Sequence, residues 1–387
     1  MSITRVFRWV ARRYREFLAA DDRGGVDLPV WRRTERPGYG QAIIATFCGH
    51  DVWFASPDLD LVPAPEAALC LVAPWCARRG VPLRGVSGLA PAFLANVRSA
   101  TALMGEWWGY GPLTYHEIEA SPALPAAAPL PSAAGATGLF FSGGVDSFYS
   151  LINNPDIRVI TFVVGFDIRL PNRPTWEAMI SAYRAVAQER GIRLVTIFTN
   201  LRQHPTLGDS SWGRYHGAAL CALAHMQRAE ASRWLISSSY TRGNLVPWGT
   251  HPDLDWRWGN TEVGVVHFGE ELWRAEKLAS LAAHALVHRN LRVCFTDPRA
   301  QGNCGRCEKC IRTRLIYWQD LPGIACDCMP HAPSLAQAID GIKHLKTPGL
   351  DKAYQRFLDR APIAGDVTAA LTRLLARTRG KSLCSPR

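Results

Sequence analysis

Lysine is absent from the first two thirds of this 387-residue chain. None precedes Lys277, so an ammonium that meets an anion must come from the last third, and arginine serves elsewhere. A long apolar run is also lacking. The longest, Ala67 to Cys76, is interrupted by Pro74 and falls far short of the roughly 20 residues that cross a bilayer, which excludes a spanning helix there. The basic stretch from Ile3 to Leu18 has the arginines of a transit peptide without its serine bias or small-residue cleavage signal, and reads as an amphipathic surface helix. With no signal peptide, eleven cysteines point to a reducing cytoplasm, where clustered thiols mean metal or redox chemistry and not a disulfide frame.

What is present is enough for a large core. Hydrophobic residues make up 48% of the chain, and the length predicts two domains. A formal charge of +11 suits anionic partners, but nucleotide, pyrophosphate and RNA satisfy it equally.

The chain divides at a spacer. Residues 1–120 read as a smaller α/β domain: strands at Ala42–Cys48 and Val52–Phe54 around a tight turn, helices from Pro65 to about Arg79 and from Pro91 to Trp108, and a closing strand at Leu113–Ile118. Trp107 and Trp108 serve as a ring-binding platform or as packing at a domain seam. Residues 121–136 are dominated by proline and alanine and form a semi-rigid linker. From 137 to 330, strands at Val159–Val164, Leu194–Phe198 and Trp234–Ser239 alternate with helices at Thr175–Glu189 and Tyr215–Arg228. Such alternation predicts a doubly wound parallel sheet with ligand at the carboxyl ends of its strands. Residues 331–387 form a helical tail, with Ser334, Asp351 and Asp366 as N-caps; it reads by default as a solvated appendage, with a lid, a dimer surface or an RNA contact as alternatives.

One stretch announces a chemistry. Thr137 to Ser147 runs from an apolar strand through a glycine turn into a helix. Gly143 and Gly144 let the backbone present N–H groups to an anion, Ser142 and Ser147 add hydroxyls, and the helix amino terminus points its positive end at the same place. Asp146 makes sense as a holder of a hard cation such as Mg2+. No lysine follows the glycines, so this is not the phosphate loop that ends in Gly-Lys-Ser/Thr.

Ser142-Gly-Gly-Val-Asp-Ser147 resembles the SGGxDS loop of the PP-loop ATP pyrophosphatases, with an adenine nucleotide alpha hydrolase-like fold. The resemblance implies ATP cleavage between the α and β phosphates, with the nucleotide held by Ser142, Gly143, Gly144, Val145, Asp146 and Ser147. Asp146 would organise magnesium. Lys277 resembles the lysine that several such enzymes bring from beyond the sheet to the leaving pyrophosphate; a surface pair with Glu276 or Glu270 is the competing reading. Gly165 and Phe166, after one strand, and Ser238 and Ser239, after another, are placed to meet adenine or simply to end their strands. The irregular segment from Thr241 to Glu262 reads as a substrate pocket, with His251, Asp253, Asp255 and Glu262 as base, metal ligands, substrate contacts or solvated turn residues.

Cys294, Cys304, Cys307 and Cys310 have spacings suited to tetrahedral zinc with every position filled, an iron–sulfur cluster being the main alternative. Glu308, Lys309 and Arg312 then lie on a helix leaving the site. Cys326 and Cys328 lie just beyond as buried thiols or a redox pair. A PP-loop followed by these cysteines is similar to the 7-cyano-7-deazaguanine synthase family over residues 137–320. That family begins at its phosphate loop, and its substrate-contacting residues have no counterpart in the 241–262 loop. The likeness implies an AMP-forming ligase acting on ATP and a small-molecule acid; a homodimer is compatible with the chain. The alternatives are a nucleobase or tRNA thiolase and a nucleotide-binding regulatory protein that does not cleave ATP.

Overall fold

The computed structural model describes residues 24–116, 135–208, 210–294, 302–329, 332–345, 350–361 and 365–382. The expected helix at residues 3–18 and almost all of the 121–136 linker lie outside them.

The first half of the described chain is built by alternation and tight turns. Strands β1 (Val26–Asp27) and β2 (Arg32–Arg36) precede a hairpin of β3 (Gly40–Phe47) and β4 (His50–Ser56). Cys48 and Gly49 close that hairpin, both at positive φ (49° and 75°), as a two-residue turn matching strand twist requires. Helix α1 (Pro65–Arg79) has proline at its first position and left-handed Gly80 just past its end, and residues 67 to 77 are all buried. Pro74 disturbs its ladder, and in that turn the Tyr215 hydroxyl donates to the Leu71 carbonyl at 2.9 Å. Next come β5 (Leu83–Arg84), paired with β1, and α2 (Pro91–Trp108), which ends at left-handed Gly109. The expected strand at Leu113–Ile118 is reduced to a single bridge at Tyr115, and residues 117–118 lie outside the described set.

Beyond the spacer, β6 (Thr137–Phe140), α3 (Val145–Asn153), β7 (Ile157–Val164), α4 (Arg173–Arg190), β8 (Arg193–Thr199), α5 (Trp212–Met226), β9 (Arg233–Ser237), α6 (Pro252–Asp255) and β10 (Gly264–Phe268) follow in turn. Then come α7 (Arg274–Ser280), α8 (Ala285–Asn290), α9 (Glu308–Asp320), α10 (Leu335–Asp340), α11 (Leu350–Asp359) and α12 (Asp366–Ser382). The Ser334 hydroxyl caps α10 by accepting from Gln337 N, whereas Asp351 falls inside the first turn of α11 and Asp366 opens α12. No described helix is long and apolar enough to cross a membrane.

The architecture is α/β with a mostly parallel central sheet, in the order β10-β9-β6-β7-β8-β4-β3-β2. The five strands from β10 to β8 are parallel, as the alternating pattern predicts; β4, β3 and β2 are antiparallel.

The boundaries expected at 121 and 331 do not coincide with the compact units of the fold. Unit 1 takes Met1–Phe141, Asn154–Pro171 and Ala187–Glu271; unit 2 takes Ser142–Asn153, Asn172–Val186 and Leu272–Arg387. Within unit 1 the amino-terminal strands extend the central sheet. Phe54 and Ala55 pair with Thr199 and Phe198, the Thr199 hydroxyl donates to Trp53 O at 2.8 Å, and that of Ser56 to Thr196 O at 2.8 Å. Backbone pairing at an open sheet edge outweighs a proline-rich spacer in deciding what packs as one body.

Candidate phosphate loop and metal centre

Strand order reverses at β6, since β7 and β8 extend the sheet on one side and β9 and β10 on the other. Open α/β sheets place ligands outside the carboxyl end of the strand where this happens. The segment leaving β6 is the glycine turn.

That turn is held rigidly within unit 2. Gly143 has φ of 72°, and a Cβ there would run into the Tyr183 hydroxyl, so only glycine fits. Tyr183 O–H donates to Ser142 O at 2.7 Å, and Arg292 N–H to Gly143 O at 2.7 Å. The Ser147 hydroxyl donates to Gly144 O at 3.0 Å and lies 3.4 Å from that of Ser142. Val145 is buried and offers the turn only its backbone at the start of α3. The result is a fixed cup of peptide N–H groups and hydroxyls at a helix amino terminus, chemically suited to an anion.

Asp146 lies beside it. Its Oδ2 accepts from Arg274 at 2.5 Å and its Oδ1 from Lys277 Nζ at 3.2 Å. The two cations sit three residues apart on α7, which puts them on one side of that helix, and both reach back 128 residues or more in sequence. The Lys277 side chain is only 2% exposed, and its Nζ lies 5.6 Å from the Tyr149 ring centroid. This excludes the surface-pair reading: Glu276 accepts from Trp273 N and Glu270 from Arg242. Burial alone would push the Asp146 carboxyl up, but the Arg274 guanidinium and Lys277 ammonium outweigh it and hold it below the usual carboxylate range. Already matched by two cations, Asp146 would have to release one of them to take a divalent ion.

Arg312 is a further cation, on α9. Burial, then Arg274, pushes its guanidinium below the usual value, and Glu308 holds it at 3.1 Å. The Glu308–Arg312 spacing of four was the legible signal.

The residues expected to contact adenine belong to unit 1. Gly165 and Phe166 directly follow β7; Phe166 packs in the unit 1 core, its ring 4.8 Å from that of Trp212. Ser238 is buried and spends its hydroxyl on Tyr240 O at 2.7 Å, while Ser239 is exposed. In the 241–262 segment Asp253 and Glu262 have side chains 71% and 66% exposed, His251 caps α6 by accepting from Asp253 N, and Asp255 is wholly buried. Asp255 accepts from His251 N at 3.1 Å and lies 2.7 Å from His267 Nδ1. His267 has no signal in the sequence, because only the pairing of β10 with β9 brings that strand to Asp255. Trp107 packs against His251 at 4.9 Å within unit 1 and not at a seam between the units.

The four cysteines converge. All of their sulfurs lie within 4.8 Å of one another, with separations of 3.4 Å (Cys307–Cys310), 3.8 Å (Cys307–Cys294) and 3.9 Å (Cys304–Cys310). A tetrahedron with metal–sulfur bonds of 2.3 Å separates its sulfurs by about 3.8 Å. The donor set and spacing therefore fit one tetrahedral soft ion; a cluster of several irons would spread the thiolates further apart. Asn303 braces the site: its Oδ1 accepts from Val293 N and Cys294 N, and its Nδ2 donates to Leu291 O and Cys328 O. Arg292, which bonds the glycine turn, is two residues before Cys294, so the metal segment and the anion cup share one strand of backbone. Comparison with protein-family models, curated proteins and solved structures found no match.

Proposed function

We propose that the protein is an ATP-dependent, AMP- and pyrophosphate-forming ligase. A substrate carboxylate, or an amide or carbonyl oxygen, attacks the α phosphate, and ammonia or an amine then displaces AMP to give an amide or nitrile. The observation that carries this reading is the lysine-free anion cup that follows β6 in the chain, with Arg274 and Lys277 delivered beside it from α7.

The N–H groups of Gly144 and the first turn of α3, with the hydroxyls of Ser142 and Ser147, hold the phosphate oxygens and stabilise the charge that develops as the α–β bond breaks. Arg274 and Lys277, held by Asp146, supply positive charge for the leaving pyrophosphate. Magnesium on the nucleotide would neutralise triphosphate charge. Cys294, Cys304, Cys307 and Cys310 would hold zinc with thiolate at all four positions, which would leave none for water and would tie down the Arg292 segment beside the turn. The finer fold assignment, to the adenine nucleotide alpha hydrolase group, rests on the order β8-β7-β6-β9-β10 and the loop at its centre.

The test supplies ATP, hydroxylamine and a panel of acids, and scores pyrophosphate and hydroxamate together. Both appearing with one acid supports the ligase. ADP with orthophosphate refutes it, and pyrophosphate formed only with tRNA and a sulfur donor assigns the thiolase reaction instead.

A further inference from the structure

A second sulfur pair stands apart from the four-cysteine group. The Cys326 and Cys328 sulfurs are 3.8 Å apart, both thiols are free, and both are partly exposed. A disulfide needs about 2.05 Å between sulfurs, so rotation about the two Cα–Cβ bonds and a small shift of the intervening turn suffice to join them. We propose that Cys326 and Cys328 are a dithiol–disulfide couple driven by small disulfides, and that Asn303 relays its closure to the Cys294 segment.

The pair is asymmetric. The neighbouring Cys328 sulfur and the Arg314 guanidinium nearby hold Cys326 below the usual thiol range, whereas Cys328 is pushed up. Cys326 is thus the attacking thiolate and Cys328 the resolving thiol. The Cys326 thiolate attacks one sulfur of R–S–S–R, that bond breaks, and one R–S⁻ leaves and takes a proton from solvent. Cys328 then gives its proton to solvent and attacks the Cys326 sulfur, expelling the second R–S⁻. Two electrons pass from the pair to the small disulfide, which becomes two R–SH.

The relay is covalent geometry plus one side chain. The Cys328 carbonyl accepts from Asn303 Nδ2 at 3.1 Å, and the same amide group's Oδ1 holds Val293 N and Cys294 N at 2.8 and 3.1 Å. A turn that tightens at Cys326–Cys328 pulls on Asn303, and through it on the backbone that bonds Gly143 O from Arg292.

The experiment titrates full-length protein with glutathione disulfide, alkylates the remaining thiols and maps them by mass spectrometry, with amide exchange followed in parallel. Expected is loss of both alkylations on the 326–328 peptide with an internal bond. The Cys328→Ser variant should trap glutathione on Cys326 about tenfold faster than Cys326→Ser traps it on Cys328. Exchange at Val293 and Cys294 should change on oxidation of the parent protein but not of Cys326→Ser. Full alkylation of both residues in excess disulfide, a bond from either to another cysteine, equal trapping by the two variants, or unchanged exchange at 293–294 would overturn the proposal.

Discussion

Replacing Asp146 by asparagine tests the ion cluster most directly. The substitution keeps the shape of the side chain and removes a carboxylate that faces Arg274 and Lys277, at 2.5 and 3.2 Å. Both cations then lose that counter-charge, one of them on a side chain only 2% exposed. Removing one partner of a buried pair costs about 3–5 kcal/mol. Lys277→Met is the informative control, because Arg274 still holds the carboxylate while a buried ammonium and its desolvation cost are both removed; its loss should not exceed about 1.5 kcal/mol. The double variant should be more stable than Asp146→Asn alone, with coupling on the order of 1–3 kcal/mol. Native-state amide exchange in α3 and α7 reads these energies locally. Acceleration by about 2 to 3.5 orders of magnitude is expected for Asp146→Asn. Saturating ATP should narrow that gap, since phosphate replaces the missing negative charge, and a ligand at a hundred times its Kd contributes about 2.7 kcal/mol. If Asp146→Asn and Lys277→Met accelerate exchange equally, charge compensation does not hold this site together.

Gly143→Ala should strain the turn by about 1–3 kcal/mol and abolish pyrophosphate release without lowering metal content, because its Cβ meets Tyr183 and its φ is 72°; preserved turnover would show that the cup is not used. Cys307→Ser should reduce bound zinc from one per chain to none and accelerate exchange at the Arg292 amide, with elemental analysis and exchange as the two readouts. The folded Asp146 pKa lies below the unfolded value of about 3.9, so its ionised form stabilises the protein at every pH above that and the benefit is lost as pH falls through the folded value. The stability difference between parent and Asp146→Asn should therefore be flat from pH 5 to 8 and shrink below about pH 4. A chain beginning at residue 135 loses the strand that pairs with β8 at Thr199 and exposes that edge, so aggregation is expected; a soluble, cooperatively folded fragment would contradict the shared sheet.

Local signals carried much of this molecule. The glycines of the turn, the alternation of apolar strands with helices from 137 onward and the short cysteine spacings were readable because each depends on residues close together in the chain. Among residues 113–116 only a single bridge at Tyr115 forms, because a periodic run becomes a strand only when a partner edge takes it.

Backbone chemistry near each residue therefore determined from sequence alone that this is an α/β chain with a glycine turn suited to an anion and four clustered thiols suited to a metal. Only the tertiary structure decided that the amino-terminal hairpin extends the main sheet, that Lys277 is buried against Asp146, and that His267 meets Asp255. Each of those joins residues far apart along the chain, and such pairings are set by which edges and charges remain unsatisfied once the local elements have formed.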